Sequence, residues 1–231
     1  MDTEIIQEPS FIIHPRQTLV EFCSTLSLTK KLISESISTN NGRLLIKTLI
    51  QRANTKNANG RNYPMQILRP KIQAYADVFI KENRAYCELD HPETQVVNVK
   101  NACATLERVW WDGDDVWGEF EILIGTPSGD IVRAILELGK TLGVSSRALG
   151  SLKEITEGND AGTSLVQPDL EFISWDFVSN PSTFKAQFSL KESILLENIQ
   201  HSSNKYDKVN YLLRDIICDA TCELSKINRK R

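Results

Sequence analysis

Between Asn101 and Leu149 the hydrophobic period of the chain changes from two to about 3.6 and back to two, which requires strands and helix in one packed unit. NACATLERVWWDGDDVWGEFEIL at 101–123 reads as two strands around an acidic turn, with Gly113 set among aspartates between apolar runs. Asp112, Asp114 and Asp115 lack the remaining ligands of an EF-hand loop, so the segment is read as a solvated hairpin turn. TPSGDIVRAILELGKTLG is the clearest helix signal: Pro127 and Ser128 stand at its start, Asp130 near its amino end, and Ile131, Ile135, Leu136 and Leu138 on the expected buried stripe. Gly143 then leads into VSSRAL. Strand alternation there sends Val144 and Ser146 to one face and Ser145 and Arg147 to the other.

The flanking sequence divides into further sections. Residues 1–43 carry short apolar runs, FII and TLVEF, among Ser, Thr and Asn clusters, and STNNG at 38–42 is a turn signal. This variable segment is expected to form an edge of the domain or an appendage. LLIKTLIQRA from Leu44 reads as a buried strand, and TKNANGRNYP at 55–64 supplies a turn and a helix start. In the helix that follows, Ile67, Ile72, Tyr75, Val78 and Phe79 fall at helical spacing, while Pro70 implies a late start or a kink. Residues 44–187 are taken as one catalytic-sized domain. Residues 188–231 form a polar linker and a helix with Val209, Leu212, Leu213, Ile216 and Ile217 on one stripe.

The chain has 231 residues, 41% of them hydrophobic and 25% charged, with a formal net charge of -3, so it is long enough to bury a substantial core. Mild acidity argues against nucleic-acid binding, which needs clustered positive charge. The amino terminus is acidic and lacks an apolar core before a cleavage site, unlike a secretory signal, and no segment approaches the roughly 18 apolar residues of a membrane helix. The chain is therefore expected in the cytoplasm, with proteins as partners and no membrane.

Five cysteines, Cys23, Cys87, Cys103, Cys218 and Cys222, are an odd number at irregular spacing, as reduced thiols are. Cys218 and Cys222 with His201 offer a metal only an incomplete ligand set, so no metal is expected. Cys87 and His91 would share a strand face, but four residue rises, about 13 Å, separate them, too far for a thiol to be activated directly.

Two short segments carry chemistry. CELDHP at 87–92 contains His91, which can take a proton near neutral pH, and GVSSRALG at 143–150 contains Ser145, which can attack a carbonyl. The glycines around Ser145 do not form the Gly-x-Ser-x-Gly nucleophile elbow. Both residues also have structural readings, a packed histidine and a satisfied strand serine.

From Gly60 to Ser182, NGRNYP, CELDHP, VWWDGDDVWGEFEIL, TPSGDIVRAILELGKTLGVSSRALGS and FISWDFVSNPS occur in the order seen in the prohead core proteases of tailed bacteriophages, relatives of the herpesvirus maturation proteases, and the chain resembles that family. The resemblance implies an α+β fold, a mixed and mostly antiparallel β-barrel of assemblin type surrounded by helices. It implies a serine endopeptidase that cleaves scaffold and capsid proteins, and itself, inside the phage prohead as it assembles in the host cytoplasm. Cleavage would follow glutamate with Leu or Ile two residues earlier. The chain's own candidates are Leu190-Lys191-Glu192, Leu195-Leu196-Glu197 and Ile6-Gln7-Glu8, the last followed by Pro9. Partners would be the scaffold or core proteins and the major capsid protein, with a homodimer allowed, and the chemistry needs no cofactor.

In this reading Ser145 aligns with the family's active serine and shares a face with Arg147, leaving Ser146 as the runner-up. His91 is the general base, and Asp176 in FISWDFVSNPS is the third member, a carboxylate in an otherwise apolar strand. Herpesvirus relatives use a histidine in the comparable place, so Glu88, Asp90 or a simple dyad stay open. Arg147, Ser146 or nearby backbone amides would stabilise the oxyanion. Two other functions fit the sequence: an inactive prohead scaffold protein that kept the fold, and an unrelated hydrolase of small esters.

Overall fold

The computed structural model describes residues 10–92 and 94–179. The stripe at Val209–Ile217, the cysteines at 218 and 222, and the candidate bonds after Glu8, Glu192 and Glu197 lie outside them. The described chain is α+β and mostly strand. Its strands are β1 (Phe11–Leu26), β2 (Leu44–Arg52), β3 (Arg61–Asn62), β4 (Tyr86–Glu88), β5 (Ala102–Asp112), β6 (Asp115–Ile122), β7 (Leu142–Ile155), β8 (Thr163–Val166) and β9 (Glu171–Val178). Its helices are α1 (Lys30–Thr39), α2 (Met65–Tyr75) and α3 (Pro127–Glu137).

The strands form two sheets. One has the order β1-β7-β8-β3 with β9 also on β7, and the other β2-β6-β5-β4. A single parallel bridge between Leu89 and Phe177 joins the sheets where β4 meets β9, and the buried hydroxyls of Ser24 on β1 and Thr48 on β2 bond at 2.7 Å. Pairing is antiparallel in every ladder except β3 with β8. At the edge of the first sheet, β1 runs along β7 from Phe11 to Leu26. Its register slips between His14 and Gln17, next to Pro15, which has no N–H to give the ladder. The acidic hairpin closes at the Asp112–Asp115 pair, and Gly113 takes the positive φ of +59° that its two-residue loop needs.

The core lies between the sheets. Trp175 and Phe177 of β9 point into it, where Phe177 meets Phe120 of β6 edge to face with centroids 5.4 Å apart, and the Trp175 indole N–H bonds the Ile50 carbonyl of β2. Helix α3 is rotated part-way from the face its periodicity suggested. Leu136 is buried and Ile135 packs on the core as expected, but Ile131 and Leu138 are exposed, at 48% and 70%, and Gly129 and Val132 are buried in their stead. The reason is a close approach: Thr126 caps the helix, and a Cβ at Gly129 would stand 2.0 Å from the Leu123 carbonyl oxygen, so only glycine lets the helix roll onto the chain before it. Gly129→Ala should therefore cost about 1–3 kcal/mol through overpacking, read as a lower urea midpoint at unchanged slope.

Candidate active site

Strand β7 occupies the middle of the first sheet, between β1 and β9, and register decides what each of its side chains faces. Ser145 stands opposite Asp176 and Arg147 opposite Ser174, while Ser146 stands opposite Trp175. Cross-strand partners share a face. One face of β7 and β9 thus carries Ser145, Arg147, Ser174 and Asp176, and the other carries Val144 and Ser146 beside Trp175 and Phe177 of the core. All of these side chains are buried.

His91 reaches the polar face from a separate segment. After β4 the chain bends at Asp90, a non-glycine residue at φ +60°, whose N–H bonds the Phe177 carbonyl at 2.7 Å and whose carboxylate accepts the Ser179 N–H. Asp is one of the few residues that enters this left-handed region readily. The bend delivers the imidazole to Asp176, with His91 Nδ1 to Asp176 Oδ2 at 2.8 Å. The other ring nitrogen, His91 Nε2, is buried and has no hydrogen-bond partner. Asp90→Val should swing His91 off Asp176 and cost about 1–2 kcal/mol, since a β-branched residue resists this φ, whereas Asp90→Asn keeps the bend; melting and peptide turnover measured together separate the two.

Asp176 is fully buried and holds several donors besides the imidazole. Ser174 Oγ and the Glu88 N–H donate to Oδ1 at 2.7 and 3.1 Å, and Arg147 Nε donates to Oδ2 at 2.9 Å. Burial alone would push this carboxyl up, but the bond with His91, the charge of Arg147 and the Ser174 and Glu88 donors together bring it below the usual carboxylate range. Arg147 is spent on the same cluster. It is 1% exposed, and besides Asp176 its Nη2 bonds Glu88 Oε2 at 2.5 Å and its Nη1 the Thr94 carbonyl at 2.6 Å. Glu88, also fully buried, is thus Arg147's second anion and does not reach the imidazole in any hydrogen bond here. Asp90, the other substitute considered for the third member, is exposed and turned toward Ser179.

The two serines differ in what they touch. Ser145 Oγ donates to the Glu21 carbonyl at 2.9 Å, on the β1 side of its strand, whereas Ser146 Oγ is buried without a partner. The thiols are poor nucleophiles. Burial pushes Cys23 up to about 12, and Cys87 and Cys103 are likewise raised by burial. Among the described residues no three His, Cys, Asp or Glu side chains converge as a metal site, and no helix is long and apolar enough to cross a membrane.

Sequence reasoning missed one polar group, Glu21, buried at 2% and bound by the NGRNYP loop. The signal was present as a lone acidic residue in the apolar run TLVEF and as a loop crowded with side-chain donors.

The prohead core protein serine protease family matches residues 24–194. The prohead core protein protease of Enterobacteria phage T4 is 35% identical over 116 residues, 50% of this chain and 55% of that protein, so the chain spans about half the length of the curated relative it matches. The solved structure of the bacteriophage T4 capsid assembly protease is similar with a TM-score of 0.56 at 26% identity, covering 76% of this chain and 100% of that one.

Proposed function

Since this chain belongs to the prohead core protein serine protease family, we propose that it is a serine endopeptidase of phage prohead maturation, with Ser145 as nucleophile, His91 as general base and Asp176 as the acid that orients the imidazole. One observation carries this assignment. His91 Nδ1 is engaged by Asp176 while Nε2 is buried and unpaired, and Asp176 stands directly across the ladder from Ser145. A carboxylate on Nδ1 selects the tautomer whose Nε2 lone pair is free to accept a proton.

The chemistry follows from that arrangement. Rotation of Ser145 about χ1 carries its hydroxyl from the Glu21 carbonyl on the β1 side toward the β9 side. His91 Nε2 takes the proton as Oγ attacks the scissile carbonyl, then returns it to the leaving amine, and water hydrolyses the acyl-enzyme by the same route. The imidazolium formed on the way is stabilised by Asp176, whose low proton affinity keeps it ionised. Arg147 acts beneath the site as the cation that lets two carboxylates be buried together, and its positive charge favours the oxyanion at a distance. The mostly antiparallel strands and the two sheets joined where β4 meets β9 support an assemblin-type barrel.

The substrates we assign are the scaffold or core proteins and the major capsid protein within the prohead, cut after glutamate with Leu or Ile two residues before. Self-cleavage after Glu192 or Glu197 would release the segment from 193 or from 198 onward. The test is mass spectrometry of the purified chain over time, alone and with head proteins, wild type beside Ser145→Ala. Fragments ending in glutamate that appear only with wild type support the proposal. Intact proteins in both arms would favour an inactive scaffold protein, and rapid turnover of simple esters without peptide cleavage would favour a small-ester hydrolase.

A further inference from the structure

Glu21 takes no part in the catalytic triad, yet among the described residues it is one of the most heavily bonded side chains. Its carboxylate accepts four side-chain donors from one short loop: Asn57 Nδ2 and Asn59 Nδ2 reach Oε2 at 2.7 Å each, while Arg61 Nη1 and the Tyr63 hydroxyl reach Oε1 at 2.6 and 2.9 Å. A buried carboxylate is costly unless its oxygens are satisfied, and these are. The loop is shaped in advance to do this. Asn57 Oδ1 accepts the N–H groups of Asn59 and Arg61 at 3.0 Å each, Gly60 sits at φ +75°, and the Gly60 carbonyl accepts the Ser164 N–H of β8. Asn59 and Arg61 also bond the Val20 carbonyl, so the loop grips β1 at two successive residues.

The main chain of Glu21 faces the nucleophile. Its carbonyl accepts the Ser145 hydroxyl at 2.9 Å and the Cys23 thiol at 3.2 Å. Just beyond it β1 bulges: Phe22 pairs with Ser145, the register slips, and Ser24 pairs with Val144, leaving Cys23 as the extra residue. A bulge releases main-chain groups from the ladder and re-aims the strand, so its position must be held by something other than the ladder. Here it is held by the carboxylate immediately before it.

We propose that Glu21 is a positioning residue for Ser145: clamped by Asn57, Asn59, Arg61 and Tyr63, it fixes the bulged part of β1, and through its carbonyl the place and rotamer from which the serine hydroxyl turns to His91. The inference rests on the protease reading of Ser145. It gives the NGRNYP segment a task beyond turning the chain into a helix.

Glu21→Gln tests it, because the side chain keeps its shape while an amide NH₂ is set against two of the donors. Two rates are read, turnover of a fluorogenic Leu-Lys-Glu peptide and labelling of Ser145 by a fluorophosphonate, in which an Oγ–P bond forms as fluoride leaves. We expect both to fall by about tenfold to a hundredfold, the cost of a misplaced reacting atom, with KM unchanged and a cooperative melt. Tyr63→Phe removes one donor and should lower both rates by a smaller factor, and it decides the matter if Glu21→Gln does not fold. A folded variant that labels and turns over at the wild-type rate or faster, or whose loss is confined to KM, overturns the proposal. Wild-type protein that neither labels nor cleaves overturns the underlying protease reading instead, and is recognised before any variant is compared.

Discussion

Ser145→Ala should abolish peptide cleavage, with a fall of about 10⁶-fold in kcat, the scale seen when the nucleophile of a serine protease is removed. The fold should survive. Only one hydroxyl is lost, and its acceptor, the Glu21 carbonyl, keeps the Cys23 thiol as a donor, so the stability cost is about 1 kcal/mol. Ser146→Ala is the matched control. That hydroxyl lies on the core face beside Trp175 with no partner, so its removal relieves a buried unsatisfied group and should leave stability equal or slightly higher, with activity close to wild type. If Ser146→Ala were the inactive variant and Ser145→Ala the active one, the register argument for the nucleophile would be wrong.

The second large effect is expected at Arg147. Arg147→Met removes the cation from between Asp176 and Glu88, both fully buried, and should destabilise the protein by about 3–5 kcal/mol at neutral pH because two charges are left uncompensated. The pH dependence should also weaken. In the wild type Asp176 titrates below its unfolded value, so its contribution to stability is present above the ordinary carboxylate range and is lost as pH falls through the lower folded value. Without Arg147, burial still raises Asp176 while one of the charges that lowers it is gone, so its folded value moves up. The variant then has less stability to lose than the wild type as pH falls through this range. Urea unfolding at about pH 4 and pH 7 should show the gap between the two proteins narrowing toward acid. A penalty equal at both pH values, or below about 1 kcal/mol, would mean that Arg147 is not the counter-charge of this cluster.

Much of the local structure was legible. The hairpin at 112–115, the start of α3 at Pro127 and the alternation of β7 all follow from turn residues, caps and period-two patterning, which are properties of short stretches. The rotation of α3 was not legible. Ile131 and Val132 are equally apolar, and what turned the helix toward Val132 was the contact between Gly129 and the Leu123 carbonyl. The site divides in the same way. His91, Ser145 and Asp176 could be named because their segments resemble those of the family, and alternation placed Ser145 and Arg147 together. The task of Arg147 could not be read, since an arginine two residues from a serine is free to face an oxyanion or a pair of buried carboxylates until those carboxylates have positions.

By itself, the sequence determined the α+β class, the run of strand, turn, strand, helix and strand around the serine, and which residue types could transfer a proton or attack a carbonyl. These are set by neighbours within a few positions along the chain. Only the tertiary structure decided that Asp176 rather than Asp90 holds the imidazole, that Arg147 is consumed by Asp176 and Glu88, and that the NGRNYP loop closes on Glu21. Each of these depends on which strands become neighbours and in what register, and a shift of one residue would send every one of these side chains to the opposite face of its sheet.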